Sequence, residues 1–143
     1  MRIICTLALP IVVSAIVLLA ATGHVLSLSP AVIAAQILAL GLAVWARRSF
    51  PAGSFRVTAA PSGDAVIQRG PYRLIRHPMY SAALLLVWAS ILGRPEVWTS
   101  VVGVVVTTVV AIRIVTEERL LRARYPAYTA YAESTKALVP FVL

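Results

Sequence analysis

Residues 97–115 read VWTSVVGVVVTTVVAIRIV, nineteen positions with a single charged side chain, Arg113, near the far end. A helix rises ~1.5 Å per residue, and ~20 apolar residues carry it across ~30 Å of hydrocarbon. The run therefore reads as a transmembrane helix. Working outward, three further apolar segments precede it: residues 3–22, broken only by Pro10; residues 30–46; and residues 79–92. The last of these is short and spans a bilayer only if its polar flanks sit in the interface or the bilayer thins. The whole chain fits this pattern. Of 143 residues 60% are hydrophobic and 13% charged, and the mean hydropathy is +0.90. Soluble domains are roughly 45–50% apolar and about 25% charged, and a soluble core of this length could not hide so much apolar surface. The expectation is an all-α integral membrane protein: about four transmembrane helices plus a cytoplasmic C-terminal helix.

The net charge of +8 would suggest nucleic acid on a soluble protein. Here the charges lie between and after the apolar runs, and no nucleic-acid-binding motif is present, so no nucleic-acid partner is expected. The loop 23–29 has no Lys or Arg, whereas 47–76 holds Arg47, Arg48, Arg56, Arg69, Arg73 and Arg76. The tail adds Arg119, Arg122, Arg124 and Lys136. The positive-inside rule then places both termini, the basic loop and the tail in the cytoplasm. One multi-pass domain, 1–143, follows: two spans in 1–46, a cytoplasmic loop in 47–78, a helical hairpin in 79–116 and a tail in 117–143. Segment 3–22, with Arg2 before it, exceeds the ~7–15 apolar residues of a signal peptide and reads as a span; a cleaved signal peptide is the alternative, and whether the span is retained stays open. Cys5 is the only cysteine, His24 and His77 fall on opposite sides of the membrane, and no metal site is expected.

Two polar clusters lie on the basic side. The first is RGPYRLIRHPMY, residues 69–80. Gly70-Pro71 is a turn signal and Pro78 suits the first turn of a helix. That puts His77 at a helix start, beside N–H groups and a dipole end that attract anions. The plain alternative is a basic interfacial loop. The second cluster is AIRIVTEERLL, residues 111–121. Arg113 sits at the edge of the apolar run, where a charge is functional by default. Glu117 shares its face at i+4 and Glu118 lies ~100° round the helix. A simple ion pair explains this poorly, because Arg before Glu is the weaker order. Together the clusters suit a zwitterionic ligand such as a cofactor bearing an amino acid. In the tail, Tyr125, Tyr128 and Tyr131 fall on one helical face, either as interfacial anchors or as a wall over a site.

Three blocks resemble the isoprenylcysteine carboxyl methyltransferase family of membrane enzymes, with its phospholipid methyltransferase relatives. They are DAVIQRGPYRLIRHPMY (64–80), RIVTEERLL (113–121) and YPAYTAYAESTKALVPF (125–141). The resemblance covers roughly the C-terminal half; R-H-P-x-Y followed by R-x-x-x-E-E is its most specific part. A family glycine after the motif tyrosine is replaced here by Ser81-Ala82. The resemblance implies a pocket for S-adenosylmethionine, released as S-adenosylhomocysteine. Carried over by position, Asp64, Ala65, Val66, Ile67, Tyr72, His77, Pro78, Met79 and Tyr80 would line the cofactor. Glu117 would hold it, and Arg113 would face the methyl acceptor; Arg113 and Glu117 are the expected catalytic pair.

The function expected from this resemblance is methyl transfer to a lipophilic, membrane-associated acceptor among membrane lipids, such as the carboxylate of a prenylated cysteine. Two alternatives compete. One is an NADPH-dependent enzyme similar to sterol reductases, which share a C-terminal architecture of this kind. The other is a non-catalytic lipid-binding membrane protein. The acceptor, the oligomeric state and the role of Arg47 and Arg48 stay open at this level.

Overall fold

In the computed structural model, residues 2–49 and 68–138 are described, without the side chains of 2–6. They form five α-helices and no strand: α1 (Arg2–Ala21), α2 (Pro30–Arg48), α3 (Pro78–Gly93), α4 (Val97–Arg124) and α5 (Tyr128–Ser134). A 3-10 turn, Gly70–Arg73, precedes α3. Prolines start two of the helices. Pro30 and Pro78 occupy the first turn, where a missing N–H costs nothing. At the start of α4, Glu96 and Thr99 form a reciprocal capping box.

The helix contacts give the spatial order α2, α3, α4, α1, with α1 also touching α3. Buried Val12, Ala15 and Leu19 of α1 meet Val87 and Ile91 of α3 and Val106, Val110 and Ile114 of α4. The spacing of three and four residues stacks each set on one helix face. Gly103 sets the approach of α3 to α4: a Cβ there would lie 2.7 Å from Ile91 Cδ1 and 3.1 Å from the Trp88 ring. Small residues at helix crossings are the usual device for close packing in lipid. Trp88 Nε1 donates to Thr107 Oγ1 at 3.1 Å, a polar tie across the same contact.

Apolar side chains also point outward along the helices, among them Val13 and Val17 on α1, Ile37 and Leu40 on α2, and Val101 and Val104 on α4. In water such a surface would be an aggregation liability; in lipid it is the solvent-matched face. α2 and α4 are long and apolar enough to cross a membrane. The apolar part of α4 ends at Val115, and its last turns carry the charges.

The tail is not one continuous helix. α4 runs on to Arg124 and stops at Tyr125, because the residue before a proline is pushed out of the helical region, and Pro126 follows. The three tyrosines thus do not share one helix: Tyr125 caps α4, whereas Tyr128 and Tyr131 lie on α5 and are buried. After α5 the chain returns to the start of α3. Ile75 and Lys136 form a parallel bridge, Arg76 N–H donates to Lys136 O at 2.7 Å, and His77 N–H to Ala137 O at 3.0 Å.

Candidate functional site

The α3–α4 hairpin brings the start of α3 beside the end of α4, and the two polar clusters read from sequence meet there. The Tyr80 hydroxyl donates to Glu117 Oε2 at 2.8 Å and accepts from Arg113 Nε. Arg113 Nε stands 3.9 Å from Glu117 Oε2, a loose pair by itself. Tyr80 therefore links the cation to the carboxylate, and its ring lies under the guanidinium, 5.7 Å from centroid to carbon. Arg113 is buried at 6% exposure, so this constellation faces protein and not lipid. A buried charge is tolerable only when paired and hydrogen-bonded, which accounts for Tyr80 and Glu117 at this depth.

One position further on, Glu118 turns to a different set of partners. Arg76 Nε donates to Glu118 Oε1 at 2.7 Å, and Arg76 Nη1 donates to Ala132 O at 2.8 Å and to Thr135 O. One guanidinium thus joins the start of α3, the end of α4 and the end of α5. His77 Nε2 lies 3.4 Å from the same Glu118 oxygen, near enough for charge pairing but outside hydrogen-bond geometry. His77 and Arg76 together hold the Glu118 carboxyl down to about 2, against the opposing effect of its burial. A carboxylate so committed is a structural clamp and a poor proton acceptor.

The tyrosines complete the wall. Tyr131 donates to Tyr72 O at 2.6 Å, fixing α5 against the 3-10 turn. Tyr128 and Tyr131 meet edge to face, with centroids 5.7 Å apart. Burial first, and Glu117 second, push the Tyr72 phenol up; burial raises Tyr131 to about 12. Both remain protonated donors at neutral pH. Tyr128 and Tyr131 are buried against the protein rather than displayed at its surface.

The start of α3 has the features of a ligand cradle. His77 provides no side-chain cap, and Pro78 has no N–H. The His77 ring stacks on Tyr80 at 5.5 Å. Among the described residues, His77 Nε2 and the Tyr128 hydroxyl are buried with no hydrogen-bond partner. Buried polar groups are nearly always satisfied, so these two suit a polar ligand. Where the family glycine is replaced, Ser81 donates to His77 O at 3.2 Å and to Leu138 O, anchoring the returning tail.

Of the residues expected from sequence, His77, Tyr80, Arg113 and Glu117 come together, with Tyr72 held behind them by Tyr131. Pro78 is buried and Met79 half-buried in the first turn of α3. Asp64, Ala65, Val66 and Ile67 lie outside the described residues. By sequence Arg76 reads as one more loop charge, although it is the first letter of the R-H-P-x-Y motif; that position is the available signal. His24 sits at the opposite end of the hairpin, with Nε2 3.3 Å from Glu96 Oε1.

A family model described as phospholipid methyltransferase matches residues 28–128, well over half of the chain, and the chain belongs to that family. The match includes both R-H-P-M-Y and R-x-x-x-E-E and ends at Tyr128. Membership implies S-adenosylmethionine-dependent methyl transfer on a lipid-related substrate, and with the apolar helices it points to a membrane protein. No curated protein and no solved structure matches the chain.

Proposed function

We propose that the chain binds S-adenosylmethionine where α3 begins and α4 ends, and methylates the polar head of a lipid held in a membrane that it crosses about four times. The hydrogen-bonded chain Arg113–Tyr80–Glu117 is the observation that carries this reading. It holds an anion and a cation in fixed relation at the end of an apolar hairpin, with an uncapped helix start alongside. Bound there, the cofactor supplies an activated methyl group on a cationic sulfur.

The protein's part is to bind, orient and exclude water. Glu117 takes the cofactor's ammonium. The start of α3, with His77 and Tyr128, takes its carboxylate or other polar groups. Arg113, on the membrane side of Glu117, faces the acceptor. A carboxylate acceptor, with an ordinary pKa near ~3.5, is already ionised and needs no base; the forked guanidinium of Arg113 would orient it. A headgroup amine must first lose a proton. In that case His77 would accept it and leave the cofactor's polar groups to Tyr128 and the start of α3, since Glu118 is committed to Arg76. The family description favours the phospholipid amine, and the burial of Arg113 beside the apolar run favours the carboxylate.

Calorimetry on detergent-purified protein tests the assignment. Glu117→Ala and His77→Ala should abolish cofactor binding, whereas Arg113→Ala should keep binding and lose turnover. Unchanged affinity in both of the first two variants refutes the site. No binding of S-adenosylmethionine by the unaltered protein refutes the methyltransferase reading, and tight NADPH binding would put the sterol-reductase-like alternative in its place.

A further inference from the structure

The end of the bundle opposite the candidate site holds the other histidine. α1 closes there in a Schellman turn: Gly23 N–H donates to Ala20 O at 3.0 Å and His24 N–H to Leu19 O at 2.8 Å. Gly23 has φ +76, a conformation that glycine adopts readily. The turn aims His24 at the α3–α4 connection, and its ring is buried at 3% exposure. Nδ1 lies 2.9 Å from Thr22 Oγ1, and Nε2 lies 3.3 Å from Glu96 Oε1. The Trp98 ring meets the imidazole edge to face, with centroids 5.0 Å apart. One imidazole thus bridges the end of α1 and a turn 72 positions further along the chain.

Both ring nitrogens face acceptors. The Thr22 hydroxyl donates to Leu18 O at 2.8 Å, so toward Nδ1 its oxygen presents a lone pair. Trp98 Nε1 donates to Glu96 Oε2 at 2.5 Å, and this bond above all holds the Glu96 carboxyl below the usual carboxylate range. An ionised carboxylate only accepts, whereas an imidazolium donates from both nitrogens and satisfies both contacts. A neutral ring has one proton to give. Either Glu96 then loses its donor, or the Thr22 hydroxyl must leave Leu18 O to donate to Nδ1. Few other charges face this cluster. Arg94 Nε stands 3.4 Å from the same Glu96 oxygen, but its side chain is 63% exposed and water weakens that pair. α1 and α2 carry charge only at their other ends, as Arg2, Arg47 and Arg48; α3 carries none, and the first charge within α4 is Arg113 at the far end. From α2 the neutral Gln36 donates to Val25 O at 3.0 Å and pins the neighbouring backbone.

We propose that His24 and Glu96 form a proton-operated latch across this end of the bundle: the imidazolium ties the end of α1 to the α3–α4 turn, and loss of its proton slackens the tie. Protonation adds the second donor and the attraction to Glu96 together. The latch is therefore tight at acid pH and loose at alkaline pH on the side of the membrane that this end faces. Histidine is the side chain whose charge ordinarily changes between about pH 5 and 8. Slackening acts on α1 at Leu19, whose carbonyl holds the His24 amide and whose side chain lies in the core shared with α3 and α4. The latch uses no part of the methyltransferase reading and stands or falls apart from it.

Nuclear magnetic resonance on the full-length protein in micelles tests it. With histidine labelled at the ring nitrogens, and His24→Gln to assign the two histidines, the His24 ring should show two N–H groups at about pH 5 and one at about pH 8. Protection of the residue 24 amide, taken against its intrinsic exchange rate at each pH, should fall about threefold between these values, within the range of an exposed ion pair. Protection of the Val110 amide, in the middle of α4, should hold. Glu96→Gln keeps an acceptor for the α4 cap and should remove most of this pH dependence. His24→Gln should give the alkaline level at both pH values. Equal protection of residue 24 at both pH values in the unaltered protein overturns the latch. A pH dependence that survives in His24→Gln overturns it as well, and its disappearance in His77→Ala would assign that dependence to the candidate site instead.

Discussion

Replacing Arg76 by alanine should undock α5 while leaving the helical hairpin intact. The guanidinium donates to Glu118 Oε1, Ala132 O and Thr135 O. Its removal strips that donor from a carboxylate and two carbonyls at once. Hydrogen bonds to charged groups are worth ~1.5–3 kcal/mol each, and breaking a buried ion pair costs ~3–5 kcal/mol. The sum overshoots, because Glu118 keeps His77 at 3.4 Å and Arg122 at 3.7 Å, and water at the interface reaches the freed carbonyls. A net loss of ~3 kcal/mol falls on the contact of α5 with the rest of the protein. At ~1.36 kcal/mol per tenfold, local opening of α5 becomes about 100-fold more frequent. Hydrogen exchange in micelles reads this directly. The amide of Tyr131, bonded to Ala127 O, should exchange about 100-fold faster, and those of Val106 and Val110 should not change. Arg76→Lys keeps the charge but not the fork and should fall between the two. Equal protection of α5 in Arg76→Ala would refute the clamp. Loss of protection throughout α4 would show that Arg76 supports the whole bundle instead.

Tyr80→Phe removes the hydroxyl that links Arg113 to Glu117 and leaves their 3.9 Å pair alone; kcat should fall about 10- to 100-fold, in the range of a lost ~1.5–3 kcal/mol charged hydrogen bond. A kcat within twofold of the unaltered enzyme would contradict the linking role. Gly103→Ala forces a Cβ to 2.7 Å from Ile91 Cδ1 and should cost ~1–3 kcal/mol of stability, measured by thermal unfolding in detergent, whereas Gly41→Ala, which meets open space, should cost far less. The Glu118 carboxyl is depressed to about 2, so its contribution is fully present above the ordinary value of 4.5 and is lost as pH falls from there toward 2. The stability difference between the unaltered protein and Glu118→Gln should accordingly shrink as pH falls from 4.5 and vanish toward pH 2; a difference that persists there would contradict the assigned shift.

The helical hairpin and its polar ends were legible in the sequence because each rests on a local rule. Pro78 marks the start of α3, the apolar run to Val115 gives the apolar part of α4, and R-x-x-x-E-E places Arg113 and Glu117 one turn apart. What sequence could not supply was which partner each charge would choose. Arg113 and Glu117 share a helix face in the sequence, but that Tyr80, more than thirty positions earlier in the chain, mediates between them is not written there. Arg76 looked like one of many positive loop charges, yet its partners lie in α4 and α5. Such choices depend on how the helices cross, and small residues such as Gly103 set that without any charge pattern. The tail misled for a local reason: Tyr125, Tyr128 and Tyr131 have helical spacing, but Pro126 breaks the helix between the first and the second.

The neighbouring carboxylates Glu117 and Glu118 show why two acidic residues in succession suit this hairpin end. Adjacent positions on a helix point ~100° apart, so one cannot do the work of the other. Glu118 faces the chain that returns from α5 and is paired with Arg76, with His77 Nε2 3.4 Å from the same oxygen. Glu117 faces inward, where the Tyr80 hydroxyl is its hydrogen-bond donor and Arg113 stands 3.9 Å away. Glu118 is thus spent on holding the tail, and Glu117 is the one that, in the proposed site, takes a ligand cation. The Tyr80 ring completes the division: one face stacks with His77 at the start of α3, and its hydroxyl reaches Arg113 and Glu117 on α4. A ligand that displaces the Tyr80–Glu117 bond would therefore be felt at Arg113, and in the proposed site this would tie cofactor occupancy to the orientation of the guanidinium toward the acceptor.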